Sequence, residues 1–292
     1  MSFPKITIIT PSFNQGAFLE QTILSVLNQN YPNLEYIIMD GGSTDQSVDV
    51  IKKYEKQLAF WTSEPDNGMY DAIQKGFDKS SGDIMAWINS DDTLAIKSLY
   101  TVAQIFSDYP QIEWLNGIPN QMDEDGRLVG VGALPQWNKY RYLQKDFKYI
   151  QQEGLFWRRS LWEKAGGYID TNVKLAADLE LWSRFFAHAE LYYLNSILGT
   201  YRVRSKNQKS LEQLDEYNTE AINILQKMPA SKTEIENMQK SQSVFWKIVH
   251  KRPLRFIFKL LKYDKVEEAL YQYPPVLYIS RKSNTFIIPE KN

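Results

Sequence analysis

The chain has 292 residues, 43% of them hydrophobic, with a formal net charge of −1 and no cysteine. That length holds one large domain or two small ones with an ample core, the near-neutral balance gives no support for a nucleic-acid partner, and the missing cysteines exclude disulfides and thiolate metal sites. The opening residues Met1-Ser2-Phe3-Pro4-Lys5 lack a signal peptide's apolar core and no apolar run spans a bilayer, so the expectation is a cytoplasmic protein, free or peripheral on the cytoplasmic face of a membrane.

Ile6-Thr7-Ile8-Ile9-Thr10 reads as a buried strand, followed by the loop Pro11-Ser12-Phe13-Asn14. Asn14 is placed to cap a helix over 17–28, where Leu19, Ile23, Val26 and Leu27 fall at helical spacing. A second strand, Glu35-Tyr36-Ile37-Ile38-Met39, ends in Asp40 and Gly41-Gly42-Ser43-Thr44-Asp45, with Asp45 capping a helix to about Lys56. A short strand at Ala59-Phe60-Trp61, the turn Pro65-Asp66-Asn67-Gly68 and a helix from Met69 to Lys79 follow. The run Ile84-Met85-Ala86-Trp87-Ile88 is a fully buried strand that stops at Asn89-Ser90-Asp91-Asp92, before a helix over 96–107. Strand alternates with helix, which predicts an α/β fold with parallel strands and right-handed crossovers, its first 95 residues a nucleotide-binding half.

The rhythm then changes. Short strands at Trp114–Gly117 and Leu128–Val131, separated by the turn Asp123–Gly126, lead to helices near 160–164 and 178–187 and a strand at Leu191–Leu194. From about Ser210 the chain becomes polar and helical. The expected division is therefore 1–95 and 96–210 as two halves of one domain, with 211–292 as a helical extension.

Ligands of open α/β sheets bind beyond the carboxyl ends of the strands. Thr10-Pro11-Ser12, Asp40 and Asp91-Asp92 all stand at such ends. Adjacent carboxylates repel and call for a cation, and an oxygen-only ligand set favours Mg²⁺ or Mn²⁺. Asp40 suits a nucleobase edge, the hydroxyls and Asp91 a ribose, and Asp92 a metal on a diphosphate. The plain alternative is that Asp91 or Asp92 caps the next helix.

These segments resemble family 2 glycosyltransferases of the GT-A fold, whose Rossmann-like, mostly parallel sheet is flanked by helices. The matching stretches are Thr10-Pro11-Ser12-Phe13-Asn14, Asp40–Asp45, Glu64–Ala72, Lys75-Gly76 and Asn89-Ser90-Asp91-Asp92, five in order, within a resemblance covering roughly residues 5–210. It implies a nucleotide-sugar donor, UDP-sugars being frequent, and inversion at the anomeric carbon. It further implies that Asp40 contacts the base, Asp91 the ribose and Asp92 the divalent ion. Lys75 adds positive charge near the diphosphate, or is an ordinary solvated helix lysine.

Inverting transfer needs a base for the acceptor hydroxyl. Neither histidine is convincing: His188 stands at a helix end and His250 in a basic run. The candidate is Asp178 in Leu175-Ala176-Ala177-Asp178-Leu179-Glu180-Leu181-Trp182, which matches the family's Asp before a Leu-Trp pair. Trp182, one turn on, shares its helix face and suits stacking on a sugar; Glu180 is the second choice. The structural alternative is a capping Asp with a core Trp. Glu153 in Gln151–Trp157 resembles an acceptor-side residue, with a salt bridge as the alternative. Tyr201–Lys206 falls where relatives often carry a histidine that helps hold metal or diphosphate, and Arg204 stands there instead; arginine cannot ligate a cation but pairs with phosphate, so Arg202 and Arg204 are expected at the diphosphate. Acceptors of this class include saccharides and lipid-linked saccharides.

Rival classes fit the sequence less well: a dinucleotide oxidoreductase wants a Gly-x-Gly-x-x-Gly turn after the first strand, where Pro11-Ser12-Phe13-Asn14 stands. An aspartate-nucleophile phosphatase wants a second Asp two residues after Asp40, where Gly42 stands; a silent nucleotide-sugar-binding module would not need Asp91, Asp92 and Asp178 together. Finally, residues 240–263 hold five lysines, two arginines and no acid among Phe245, Trp246, Ile248, Leu254, Phe256 and Leu260. Such a segment reads as an interfacial helix for an anionic membrane surface, or as a face packed on the protein or on a second subunit.

Overall fold

The computed structural model describes residues 3–134, 136–146, 150–205, 212–242, 266–267, 270–280, 282–283 and 285–289. The basic segment singled out above lies outside them, apart from 240–242. A seven-stranded sheet forms the centre, built from β1 (Ile6–Ser12), β2 (Leu34–Asp40), β3 (Phe60–Ser63), β4 (Ile84–Trp87), β6 (Trp114–Asn116), β9 (Phe156–Arg158) and β10 (Leu191–Tyr193). Its strand order is β10-β6-β9-β4-β1-β2-β3. Every residue of β1 and β4 is buried, as expected of strands covered on both faces. Helices α1 (Gly16–Leu27), α2 (Ser47–Tyr54), α3 (Met69–Asp78) and α4 (Ser98–Asp108) supply crossovers in the first half. Helix α3 lies close on β1 because Gly76 has no side chain; a Cβ there would sit 2.7 Å from Ile9 Cγ2.

The strands are not all parallel. β9 runs antiparallel between β4 and β6, with Met85 opposite Trp157 and Leu115 opposite Phe156. An apolar triplet carries no sign of its direction, so the one antiparallel strand of this mostly parallel sheet is not marked in the sequence. The reversal matters: the amino end of β9 lies at the carboxyl end of β4, and the short 3₁₀ turn Gln152–Gly154 arrives beside the acid-tipped strand. A second sheet, ordered β5-β11-β7-β8, joins β5 (Thr93–Leu94), β11 (Gly199–Arg202), β7 (Asn120–Met122) and β8 (Leu128–Val131). Antiparallel pairing of β11 with β5 brings Arg202 alongside Asp92.

The second half contains α5 (Lys139–Leu143), α6 (Arg159–Lys164), α7 (Ala177–Phe185), α8 (Leu214–Gln226) and α9 (Lys232–Gln242), followed by a hairpin of β12 (Tyr278–Ser280) and β13 (Thr285–Ile287). Ala221 and Leu225 of α8 are buried in the same core as Leu181 and Phe185 of α7, so the polar helix after residue 210 is seated against the acceptor half. The aromatic wealth of the sequence is largely core. Trp87, Trp114, Trp157 and Trp182 are at most 2% exposed, and Trp87 and Trp182 stack with centroids 5.5 Å apart. Among the described residues no helix is long and apolar enough to cross a membrane.

Candidate active site

The loops after β1 and β2 are stitched together. Asn14, in the left-handed region at φ 51°, accepts from Thr44 N–H at 2.8 Å and donates its own N–H to Ser43 Oγ at 2.8 Å. It does not cap α1 as the spacing predicts. That duty falls to Asp45, whose carboxylate accepts from Gly16 N–H and Ser47 N–H, both at 2.9 Å, and so serves the amino ends of α1 and α2 together.

Asp40 stands opposite Ser12 at the ends of β2 and β1. Its carboxylate accepts from Ser43 N–H (2.9 Å), Ser43 Oγ (2.6 Å) and Ser63 Oγ (2.7 Å), which fixes its orientation. It lines a cavity of about 290 Å³ with Phe60, Thr62, Asp66, Lys75 and Lys79. Lys75 pairs with Asp71 at 2.8 Å and keeps an exposed side chain at this cavity. Ser12 Oγ, buried at the strand tip, has no hydrogen-bond partner among the described residues, the condition of a group that a ligand satisfies. Pro11 is buried in the same strand end. Thr10 departs from expectation: its hydroxyl is wholly buried and hydrogen-bonded to Tyr36 Oη at 3.0 Å, so it is a core contact and not a ribose donor.

The acid pair is divided by its surroundings. Asp91 is partly exposed, and its Oδ2 lies 3.1 Å from Arg204 Nε; Arg204 also donates to Gln15 Oε1 at 3.0 Å. Burial raises the Asp91 carboxyl, with Arg204 opposing. Asp92 is 1% exposed. Its Oδ1 accepts from Arg202 N–H at 2.8 Å and its Oδ2 from Asn89 Nδ2 at 3.1 Å. Burial, then the charges of Glu153 and Asp91, hold its carboxyl well above the usual carboxylate range. The two acids therefore differ: Asp92 is buried with both oxygens engaged by Arg202 N–H and Asn89, while Asp91 is the more exposed carboxylate and pairs with Arg204. Ser90 is buried beside them, and Asn89 Oδ1 has no partner among the described residues.

Three further expectations change. Glu153 is 5% exposed and, carried by the antiparallel β9, faces Asp92 instead of an acceptor cleft; burial pushes its carboxyl up to about 7. Arg202 is fully buried. Its guanidinium donates to the carbonyls of Asp91 (2.6 Å), Asp123 (2.8 Å) and Glu124 (2.9 Å) and to Gln21, so it clamps the loop behind the acids and does not face diphosphate. Trp182, 1% exposed and stacked on Trp87, offers no face to a sugar.

Asp178 fares differently. It occupies the first turn of α7, half-buried, and burial pushes its carboxyl up to about 6 against the opposing hydrogen bonds from the N–H groups of Leu179 and Asp178. The Tyr70 hydroxyl lies 2.9 Å from the Leu175 carbonyl and 3.4 Å from Asp178 Oδ1. Tyr70 opens α3, which begins beyond the carboxyl end of β3, so this contact sets Asp178 on the same side of the sheet as Asp40 and Asp91. Glu180 is held by Arg184 one turn on, at 2.7–2.8 Å through both oxygens, which removes it as an alternative base. Sequence reasoning missed Glu220 of α8, whose carboxylate accepts from the N–H groups just before α7.

A mostly parallel sheet flanked by helices, with acids at the carboxyl ends of its strands, is the architecture of the GT-A fold. The model of the glycosyl transferase family 2 matches residues 7–161, and the chain belongs to that family. An uncharacterized glycosyltransferase of Mycobacterium tuberculosis is 34% identical over 185 residues, 61% of this chain and 68% of the relative. A PGL/p-HBAD biosynthesis glycosyltransferase of Mycobacterium bovis is 26% identical over 207 residues, 69% of this chain and 78% of the relative. Among solved structures, Staphylococcus aureus TarS 1–349 in complex with UDP-GlcNAc superposes with a TM-score of 0.63 at 15% identity, over 80% of this chain and 70% of that one. The longer TarS chain is spanned only to 42% of its length. The mannosyltransferase PcManGT of Pyrobaculum calidifontis, in complex with GDP-Man and Mn²⁺, matches at TM-score 0.55 and 13% identity, over 93% of this chain and 88% of that one.

Proposed function

We propose that this chain transfers a sugar from a nucleotide-sugar, a UDP-sugar by preference, to a hydroxyl of a saccharide or lipid-linked saccharide, with inversion at the anomeric carbon. The observation that carries the reading is Asp178: a half-buried carboxyl raised to about 6, fixed at a helix start on the side of the sheet where Asp40 and Asp91 end their strands. A group in that range is ionised at neutral pH yet basic enough to take a proton. The acceptor hydroxyl gives its proton to Asp178 as its oxygen bonds to the anomeric carbon, and the bond from that carbon to the diphosphate oxygen breaks. Negative charge then grows on the leaving nucleoside diphosphate. Arg204 suits it as a fixed countercharge, and Lys75 as a second.

The base of the nucleotide is assigned to the cavity beside Asp40 and the ribose to Ser12 and the loop of Asn89–Asp91. A divalent ion fits this donor set in one way. Among the described residues no three acids or histidines converge to cage a metal, but Mg²⁺ and Mn²⁺ usually take one or two carboxylates and draw other ligands from phosphate and water. Asp91 is that carboxylate here, and the ion would add Lewis-acid stabilisation of the leaving group. The neighbours' UDP-GlcNAc and GDP-Man/Mn²⁺ complexes are in keeping with both assignments. The phosphatase reading lacks its second acid, since Gly42 stands two residues after Asp40.

A thermal-shift screen of nucleotide-sugars with Mn²⁺ tests the donor, because a ligand of the folded state raises Tm. In that assay Asp40→Ala is expected to weaken nucleoside diphosphate binding by about tenfold or more, the scale of a lost hydrogen bond to a charged group. It should slow the chemistry of bound donor much less; unchanged affinity would move the base elsewhere. Residues 240–263 are proposed to engage an anionic bilayer, where each basic side chain contributes about 1 kcal/mol. Full-length protein should then sediment with anionic but not neutral liposomes at low salt, and removal of residues 240–292 should abolish it.

A further inference from the structure

The loop leading into α7 is held from two sides by groups outside the motifs. Glu220, on α8, accepts three successive backbone N–H groups: Lys174 on Oε1 at 2.8 Å, and Leu175 and Ala176 on Oε2 at 2.7 and 2.9 Å. From the other side the Tyr70 hydroxyl lies 2.9 Å from the Leu175 carbonyl. Leu175 therefore has both its N–H and its C=O fixed by side chains from α8 and α3. Helix α7 has no side-chain cap of its own, its preceding residue being Ala176. Glu220 satisfies the Ala176 N–H, one of the orphan donors of the helix start, and places a carboxylate at the positive end of the helix. Asp178 follows two residues later.

We propose that Glu220 is a positioning residue for the reaction, its carboxylate fixing the turn 174–176 so that Asp178 is aimed at the acceptor hydroxyl. The inference rests on the assignment of Asp178 as the base. The charge acts along with the geometry: the negative carboxylate of Glu220 helps keep the Asp178 carboxyl raised. The groups facing Asp178 are Tyr70 from α3, Tyr142 from α5 and Glu220 from α8; of these Glu220 is the carboxylate. Helix α8 thereby belongs to the working part of the enzyme. Its seat is secured by Ala221 and Leu225, both buried beside Glu220.

The experiment compares Glu220→Ala, Glu220→Gln and Asp178→Asn in the full chain, with transfer measured over a pH series and donor affinity and Tm measured alongside. Glu220→Ala should lower kcat for transfer by about tenfold or more, as expected when a base is misplaced by a fraction of an ångström, with the donor KM and nucleoside diphosphate affinity unchanged. Glu220→Gln keeps one acceptor oxygen, enough for the Leu175 and Ala176 amides but not for Lys174, and should recover kcat in part, while its acidic limb shifts to lower pH because the negative neighbour is gone. If Glu220→Ala costs too much stability to be assayed, the Gln variant and its pH limb decide the matter. A folded Glu220→Ala with wild-type kcat, or a Gln variant with an unshifted limb and a kcat reduced only in step with donor affinity, overturns the proposal. Normal transfer by Asp178→Asn would bring down the base assignment itself and this inference with it; an inactive Asp178→Asn beside a fully active Glu220→Ala would bring down only the role of Glu220.

Discussion

Asp178→Asn is expected to lose sugar transfer by about 10²–10⁴-fold, the range for a general base, while binding nucleotide-sugar as the parent does. The amide keeps the volume of the carboxyl and an oxygen for the N–H groups of Asp178 and Leu179, so the turn into α7 should hold. What is lost is the capacity to take a proton. The parent enzyme carries a pH signature of the same group. A base with its carboxyl raised to about 6 is ionised above that pH and protonated below it, so kcat should be flat toward neutrality and fall as pH drops through about 6. The linkage to stability has the opposite sign. A carboxyl whose folded value lies above its unfolded one favours the folded state while protonated, a contribution present at low pH and lost as pH rises through about 6. The Asn variant, neutral throughout, should therefore match or exceed the parent's Tm at neutral pH. Calorimetry beside a pH-rate profile checks both. A variant with near-normal transfer would remove Asp178 from the reaction, and Glu180, tied to Arg184, would not be its replacement.

Much of the nucleotide half was legible because buried parallel strands write themselves as apolar runs, and the polar residue that ends such a run marks the ligand side of the sheet. The strand ends at Asp40 and beside Asp91 are legible that way. Orientation within a tip was not legible. Asp91 and Asp92 are neighbours in a loop without periodicity, and what separates them is β11, more than 100 residues on, whose Arg202 N–H takes Asp92 inward. The same limit applies to Glu153, delivered to Asp92 by a strand whose direction three apolar residues could not reveal. For Trp182 the helical spacing with Asp178 was read correctly, yet spacing says only that two residues share a flank. The stack on Trp87 decides that the ring is interior. Glu220 sits on a helix rich in polar residues, and its hydrogen bonds reach three amides of a loop more than forty residues away, for which no local pattern exists.

The division of the acid pair leads to the second large effect. Asp91→Asn is expected to reduce turnover by at least about 10²-fold and to abolish the Mn²⁺-dependent tightening of nucleoside diphosphate, whereas Asp92→Asn should leave that tightening largely intact. The reason lies in what each carboxyl already touches. Asp92 is buried and accepts from Arg202 and Asn89, and burial with the nearby charges of Glu153 and Asp91 holds its carboxyl above the usual range, so a neutral amide disturbs it little. Asp91 is balanced by Arg204 at the cleft. Its loss leaves the cation without a protein carboxylate, so metal-dependent binding should disappear. Titrating nucleoside diphosphate by thermal shift with Mn²⁺ and with EDTA separates these terms without relying on turnover. Should Asp92→Asn lose the Mn²⁺ response and Asp91→Asn retain it, ligation returns to the buried acid, and the loop of residues 89–92 must turn over when donor binds.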